Sequence, residues 1–500
     1  MTRLTRNVIY NTAGQGAILL LSLVAVRFVF RRLGDDAFGI IIFNLVLTTV
    51  LSTALELGIS ATIVREVSRH FEDQRAYVND LMRTGSLFYW SFGVLLFVLI
   101  WLTAPLLVTQ WVNLHRMDPT TAATMLRILS VTALVTLPKV LYTSLFRGRQ
   151  LMELNNGIDV GTALAQQGGI LALTLSGQGV YTVAAWIAGS ATLGIVAYVV
   201  IASRVAGWSA LVPGFSMAVV RRNVGFTGHM MVISLLSLAQ SQSPQVIVSK
   251  LLPIVQFGYY GFIASTVSRA TVAANAVAQA AFPSFSSLHA AGNRDELLRQ
   301  YVKLQDLVCY GTLPLFAGIC FAALPVYGYV FDPAAAQQLL LPTALLAVGT
   351  WMNATLSIPY VLSLAVGKTD IPMRTSVIGV ILILPVTALL VYRFGLAGAG
   401  LSWVCYHVFA YAYMAPRVAR ECLGMSPVTW FAHVGKVAVS AAAAYGLVWI
   451  VISPHAASLP AAAGGYIVAS ALFLGAAALL IGPDLKFTIR RLALRRARAS

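Results

Sequence analysis

The chain has 500 residues, of which 58% are hydrophobic and 10% charged, against about 25% charged residues in soluble domains; a water-soluble globular fold could not bury so much apolar sequence. The net charge of +17 does not point to nucleic acid, because the basic residues sit in short loops between apolar runs and form no patch with interleaved aromatics. Four cysteines, Cys309, Cys320, Cys405 and Cys422, have neither CxxC nor metal-ligand spacing, so no metal and no cofactor is expected.

Taken in chain order, about 14 hydrophobic segments follow one another, each roughly long enough to cross a hydrocarbon core of about 30 Å. They span 8–30, 38–62, 85–109, 122–146, 158–175, 180–202, 223–249, 257–282, 307–331, 340–366, 374–392, 397–416, 430–452 and 463–482. The fold class is therefore an all-α polytopic membrane protein. The apolar run behind the basic start at Met1 to Arg6 is too long for the h-region of a signal peptide.

Charge alternates from loop to loop. One set holds Arg65, Arg69, Arg75, Arg83, Arg147, Arg149, Arg204, Arg221, Arg222, Arg294, Arg299, Lys303, Lys368, Arg374, Arg417 and Arg420, and Arg3, Arg6 and the tail join it. The other holds little beyond Arg116, Lys250 and Arg393, with Arg27, Arg31 and Arg32 at one helix end. This asymmetry, roughly fourfold, places both termini in the cytoplasm. The longest basic loops, from Arg65 to Arg83 and from Ser203 to Arg222, have room for amphipathic helices at the interface. There is no GxxxxGK[ST] motif and no large acidic loop, which argues against an ATPase or a glycosyltransferase; no enzyme is expected.

The segments repeat. Arg6-Asn7-Val8 matches Arg222-Asn223-Val224, Phe38-Gly39 matches Phe257-Gly258, and Arg75, Tyr77 and Val78 match Arg299, Tyr301 and Val302. Gly148 and Gly367 follow the fourth and tenth segments. Two six-helix halves are implied, inserted in the same sense and related by an axis along the membrane normal. The expected domains are an N-terminal lobe at 1–205, a second lobe at 206–420, two extra helices at 421–484 and a basic tail at 485–500.

Four segments carry polar stripes at helical spacing. They are Asn7, Asn11, Gln15 and Ser22; Asn44, Thr48, Ser52 and Glu56; Asn223, Thr227, Ser234, Ser237 and Ser241, with Gln242 and Gln245; and Ser265, Ser268, Asn275 and Gln279. Helix packing through small polar residues is one account. Four stripes matched by the repeat, on segments 1 and 2 of each half, favour a water-filled cavity. Arg269 lies about 18 Å into the eighth segment at 1.5 Å per residue, where a guanidinium fork suits phosphate oxygens. Arg27 lies near the end of the first. Lys139 has Glu56 or Asp159 as its expected partner, while Arg127 and Asp306 are read as interfacial.

The opening run, Arg6-Asn7-Val8 through Arg31-Arg32-Leu33-Gly34-Asp35-Asp36-Ala37-Phe38-Gly39, resembles the start of the bacterial polysaccharide transporters, the lipid-linked oligosaccharide (O-antigen-type) flippases. These belong to the multidrug/oligosaccharidyl-lipid/polysaccharide exporter superfamily. Leu57-Gly58 to Arg65-Glu66-Val67-Ser68 is similar to the end of their second helix. Phe282-Pro283-Ser284-Phe285-Ser286-Ser287-Leu288, with Tyr301 and Pro314-Leu315, is similar to their eighth and ninth. The resemblance covers most of the chain. It implies a V-shaped pair of lobes around a cavity lined by helices 1, 2, 7 and 8, and an undecaprenyl-diphosphate-linked glycan moved from the inner to the outer leaflet of the bacterial inner membrane. Polysaccharide polymerases and glycosyltransferases would be partners. The substrate-binding residues it nominates are Arg269 and Arg27, beside Asn44, Ser52, Glu56, Gln242, Asn275 and Gln279 from the stripes. The competing readings are a cation-coupled multidrug or small-solute exporter of the same fold, with Glu56 and Asp159 as its acidic candidates, and a non-transporting partner of a polysaccharide assembly complex.

Overall fold

A computed structural model describes residues 18, 20–56, 58–483 and 485–486. Asn7, Asn11 and Gln15 of the first stripe, the Arg6-Asn7-Val8 repeat marker and nearly all of the basic tail lie outside the described residues. The described residues are helical almost throughout, and the chain is a multi-pass membrane protein. In chain order the helices are α1 (20–33), α2 (Asp35–Glu56), α3 (Ile59–His70), α4 (Arg75–Trp111), α5 (Pro119–Gly148), α6 (Met152–Leu175), α7 (Val180–Ala206), α8 (Met217–Leu251), α9 (Ile254–Arg269), α10 (Thr271–Ala290), α11 (Arg294–Val330), α12 (Pro333–Ala365), α13 (Asp370–Leu423), α14 (Pro427–His455) and α15 (Leu459–Leu480).

Among the described residues nine of these helices are long and apolar enough to cross a membrane, and α8, bent by 46° between Met217–Gly228 and Met230–Leu251, makes a tenth. Of the expected segments outside that set, the first lies largely outside the described residues, α6 carries Asn155, Asn156, Asp159, Gln166 and Gln167, and the eighth is divided between α9, of 16 residues, and α10, which carry Ser265, Ser268, Arg269, Asn275 and Gln279. The eleventh and twelfth segments form the two arms of α13, which turns at Gly395 with φ 56° and ψ −132°. The left-handed φ is open to glycine and strained for other residues.

Helix starts follow from capping chemistry. The Asp118 carboxylate accepts from the amides of Thr120 and Thr121, and Asp332 accepts from Ala335 at 2.8 Å, each with proline at the first helical position. The second hydrophobic segment is not one helix. Gly58, at φ +71°, separates α2 from α3, and a Cβ there would lie 2.6 Å from Cβ of Met230 on α8. Helix α3 is amphipathic: Thr62, Ile63, Glu66 and Val67, one face of its 12 residues, are buried.

The chain divides into two compact units, Met1–Tyr259 and Tyr260–Ser500. The first contains α8, the helix expected to open the second lobe. At one end of this unit Arg149 meets Glu72 and Arg75 donates to the Val205 carbonyl. At the other, the buried Asp36 carboxylate accepts from the successive amides of His115, Arg116 and Met117, at 3.0, 2.6 and 2.7 Å. The basic loops of α3 to α8 thus gather at one end, as their alternation requires. At the opposite end the repeat-matched glycines meet: a Cβ on Gly258 would lie 3.2 Å from Cα of Gly39.

In the second unit Asp306, expected near the inner end of its helix, is held by protein. It is 2% exposed, accepts from the Gly482 amide at 2.9 Å and lies 3.2 Å from His433 Nε2. A carboxylate on α11 therefore anchors both α14 and the end of α15, a contact between elements too far apart in sequence to be read from local pattern.

Candidate functional site

The first unit holds an open cavity of about 600 Å³, lined by α1, α2, α5, α6 and α7. Its polar wall holds Asn44, Thr48, Thr132, Thr136, Lys139, Asp159, Gln166, Gln167 and Tyr198. Lys139 Nζ lies 2.7 Å from Asp159 Oδ1, and the Tyr198 hydroxyl donates to the same oxygen at 2.9 Å. Of the two partners expected for Lys139, Asp159 is the one it finds. Asn44 Nδ2 donates to Thr132 Oγ1 at 3.0 Å, whereas its Oδ1 and the Thr48 hydroxyl are buried without a hydrogen-bond partner among the described residues. Such orphaned groups favour water or a polar guest in the cavity.

The remaining stripe residues fall in different surroundings. Ser52 is buried on α2, and Glu56 accepts from the Ser60 hydroxyl. On α8 Gln242 is half-buried, with an unpartnered buried Oε1. Arg27, half-buried on α1, is engaged by a neighbouring group. In the second unit Ser265, Ser268, Arg269, Asn275 and Gln279 are all exposed. Arg269 ends α9, and α10 follows after Ala270. The Ser265 and Ser268 hydroxyls turn back to their own helix at 2.8 and 2.6 Å. The Arg269 guanidinium makes no hydrogen bond or ion pair among the described residues.

A further cluster, not nominated from sequence as a site, closes the basic end of the first unit. Glu66, buried on α3, accepts from Arg65 Nε at 2.8 Å and from the Tyr77 hydroxyl at 2.9 Å. Arg65 Nη2 donates to Asn223 Oδ1 at 3.1 Å, and Asn223 Nδ2 donates to Tyr77 at 2.8 Å, closing a ring between α3, α4 and α8. Arg222 Nη2 and His70 Nε2 each stand 3.8 Å from Glu66 Oε2. The arginines also stack, Arg65 over Phe226 at 3.8 Å and Arg222 over Tyr77 at 4.0 Å. One turn away, the Thr62 and Thr227 hydroxyls meet at 2.8 Å. Burial raises the Glu66 carboxyl, but the bonds from Tyr77 and Arg65 and the charges of Arg65 and Arg222 outweigh it and hold the group below its usual 4.5. The signal for this cluster was present in the sequence, since Tyr77, Arg222 and Asn223 are among the repeat markers.

Among the described residues no group of three or more His, Cys, Asp or Glu side chains is placed to hold a metal.

The fold is that of known membrane transporters. It is similar to the lipid II flippase MurJ in an inward closed conformation, with a TM-score of 0.68 at 12% identity over 94% of this chain and 98% of that one. It is also similar to an inward-facing multidrug resistance MATE family transporter of the MOP superfamily, with a TM-score of 0.58 at 12% identity over 80% of this chain and 94% of that one. In sequence, a Shigella flexneri protein named as an O-antigen transporter is 21% identical over 406 residues, 80% of this chain and 93% of that protein. The family model described as polysaccharide biosynthesis protein matches residues 4–289, more than half of the chain, and the chain belongs to that family.

Proposed function

We propose that the protein is a flippase that carries a polyprenyl-diphosphate-linked oligosaccharide across the bacterial inner membrane by alternating access, for cell-surface polysaccharide biosynthesis. It acts as a transporter and not as an enzyme. Both termini face the cytoplasm, and the glycosyltransferases and polymerase of the same glycan are its functional neighbours. The observation that carries this reading is the polar face of α9 and α10. A polar side chain against lipid is costly, about 2.5–3.5 kcal/mol for a central arginine on insertion scales. An exposed face of two serines, an arginine, an asparagine and a glutamine therefore needs water or a polar substrate beside it. A diphosphate and a glycan use such a path, while the polyprenyl tail stays in lipid.

The cavity of the first unit favours this over a cation-coupled drug exporter. Its lining carboxylate already has an ammonium at 2.7 Å, which leaves no unpaired acid for a cationic drug among the described lining residues.

The test is surface glycan in a deletion strain, normalised to membrane protein level. Arg269→Ala should abolish export with normal protein level, and Arg269→Lys should restore part of it, since the charge returns without the bidentate fork. Full export by Arg269→Ala would remove this residue from the mechanism.

A further inference from the structure

The Glu66 ring has features that a merely structural salt bridge does not need. Its carboxylate is buried, with a side chain 5% exposed, while the guanidiniums around it remain reachable, at 26% for Arg65 and 44% for Arg222. Two arginines share one carboxylate, which leaves the cluster with an excess of positive charge. The groups come from both halves of the sequence repeat: Arg65 and Glu66 lie on α3 and Tyr77 on α4, whereas Arg222 and Asn223 belong to α8, the first helix of the second half. The Arg222 donors are only loosely committed, to Gln74 at 3.3 Å and His70 at 3.2 Å. Beyond the ring, α8 is bent by 46° between Met217–Gly228 and Met230–Leu251, which sets its basic end at an angle to the rest of the helix. At the ring, then, a carboxylate on α3 sits where an anion would, against the bent helix α8, with part-exposed guanidiniums around it.

We propose that Glu66 is a tethered stand-in for a phosphate group. Arg65 and Arg222 form a diphosphate-binding site at the basic end, and a lipid-linked diphosphate opens this end by taking the arginines from Glu66. The proposal rests on the flippase reading and adds to it the first contact of the substrate and the trigger that frees α8. A diphosphate carries more charge and more acceptor oxygens than one carboxylate, and it matches two guanidinium forks at once. It competes best for Arg222, the more exposed and more weakly held of the two. Once Arg65 turns to phosphate, Asn223 loses its donor, and the bond that ties α3 to α8 one turn from the Thr62–Thr227 contact is released.

The test is a disulfide between Thr62→Cys and Thr227→Cys in purified protein, with the four native cysteines replaced by alanine. Closed protein should crosslink efficiently on mild oxidation. Farnesyl diphosphate, a short polyprenyl diphosphate, should lower the yield severalfold, and inorganic pyrophosphate should do so at higher concentration. Arg222→Gln should raise the farnesyl diphosphate concentration required by about tenfold, or about 1.4 kcal/mol. Glu66→Gln, which keeps the shape and loses the charge, should lower the yield without any ligand. The proposal is overturned if neither diphosphate changes the yield, if sodium chloride at matched ionic strength acts as well, or if Glu66→Gln crosslinks like the parent. Release by inorganic pyrophosphate with farnesyl diphosphate inactive would overturn the assignment to a lipid head. The crosslink is read without any export, so its outcome is separate from that of the Arg269 assay.

Discussion

At the scale of single residues, Glu66 makes a pH-dependent contribution whose sign follows from its surroundings. Its folded pKa lies below the usual 4.5, so its stabilisation is complete above that value and is lost as the pH falls from there through the folded pKa. Hydrogen bonds to a charged group contribute about 1.5–3 kcal/mol each, and the part-exposed arginines keep Glu66→Gln below the cost of breaking a fully buried pair. The melting temperature of the parent should therefore exceed that of Glu66→Gln at pH 7, and the gap should close in acid. A gap that persists unchanged to about pH 3 would contradict this account. The same residues mark what could be read beforehand. Tyr77, Arg222 and Asn223 stood out in the sequence as repeat markers, yet spacing along a chain does not reveal which loop ends converge. Lys139 is the intermediate case: both carboxylates were foreseen, and packing chose Asp159 over Glu56.

Among the elements, α2 and the α9–α10 pair show how far periodicity carries. Both have polar residues every three or four positions, and the sequence treats them alike. The structure separates them: Asn44 and Ser52 are buried inside the first unit, at 4% and 5% exposure, whereas Asn275 and Gln279 are exposed on the second. Periodicity shows that a helix has a polar face, but only tertiary packing decides whether that face meets a neighbouring helix or open water. Single cysteines at Asn275 and Gln279 should thus react with a membrane-impermeant, polar thiol reagent in membranes, and a cysteine at Ser52 should react at least about tenfold more slowly, as expected of a site that must open locally before reagent can enter. Equal labelling at all three positions, measured against a lipid-facing control such as Leu472→Cys, would show that the two stripes are equivalent after all. One helix break was likewise hidden: Gly58 interrupts a run that hydropathy reads as continuous, because a glycine in an apolar stretch carries no sign of the left-handed turn it permits.

For the whole molecule, the number of crossings is the quantity on which sequence and structure can be set against each other. Hydropathy separates the segments 374–392 and 397–416 only by a short polar gap, and α13 runs through both as 54 residues. A straight helix of that length would measure roughly 80 Å, against a hydrocarbon core of about 30 Å. The turn at Gly395, and the 1.9 Å at which a Cβ on Gly398 would meet the Leu390 carbonyl, mean that the chain folds back on itself there. From the loop before Pro333 to the C-terminus there are then five crossings: α12, the two arms of α13, α14 and α15. An odd number places the two points on opposite sides of the membrane, with the Arg417 and Arg420 loop on the side of the C-terminus, as the excess of basic residues in those loops requires. Reporter fusions at Pro333 and Ser500 should accordingly report opposite compartments, with Ser500 cytoplasmic, and a fusion at Gly424 should agree with Ser500. If Pro333 and Ser500 report the same side, α13 crosses once and the two-arm reading fails. If they differ but Ser500 is outside, the crossings stand and the orientation drawn from the basic loops is wrong.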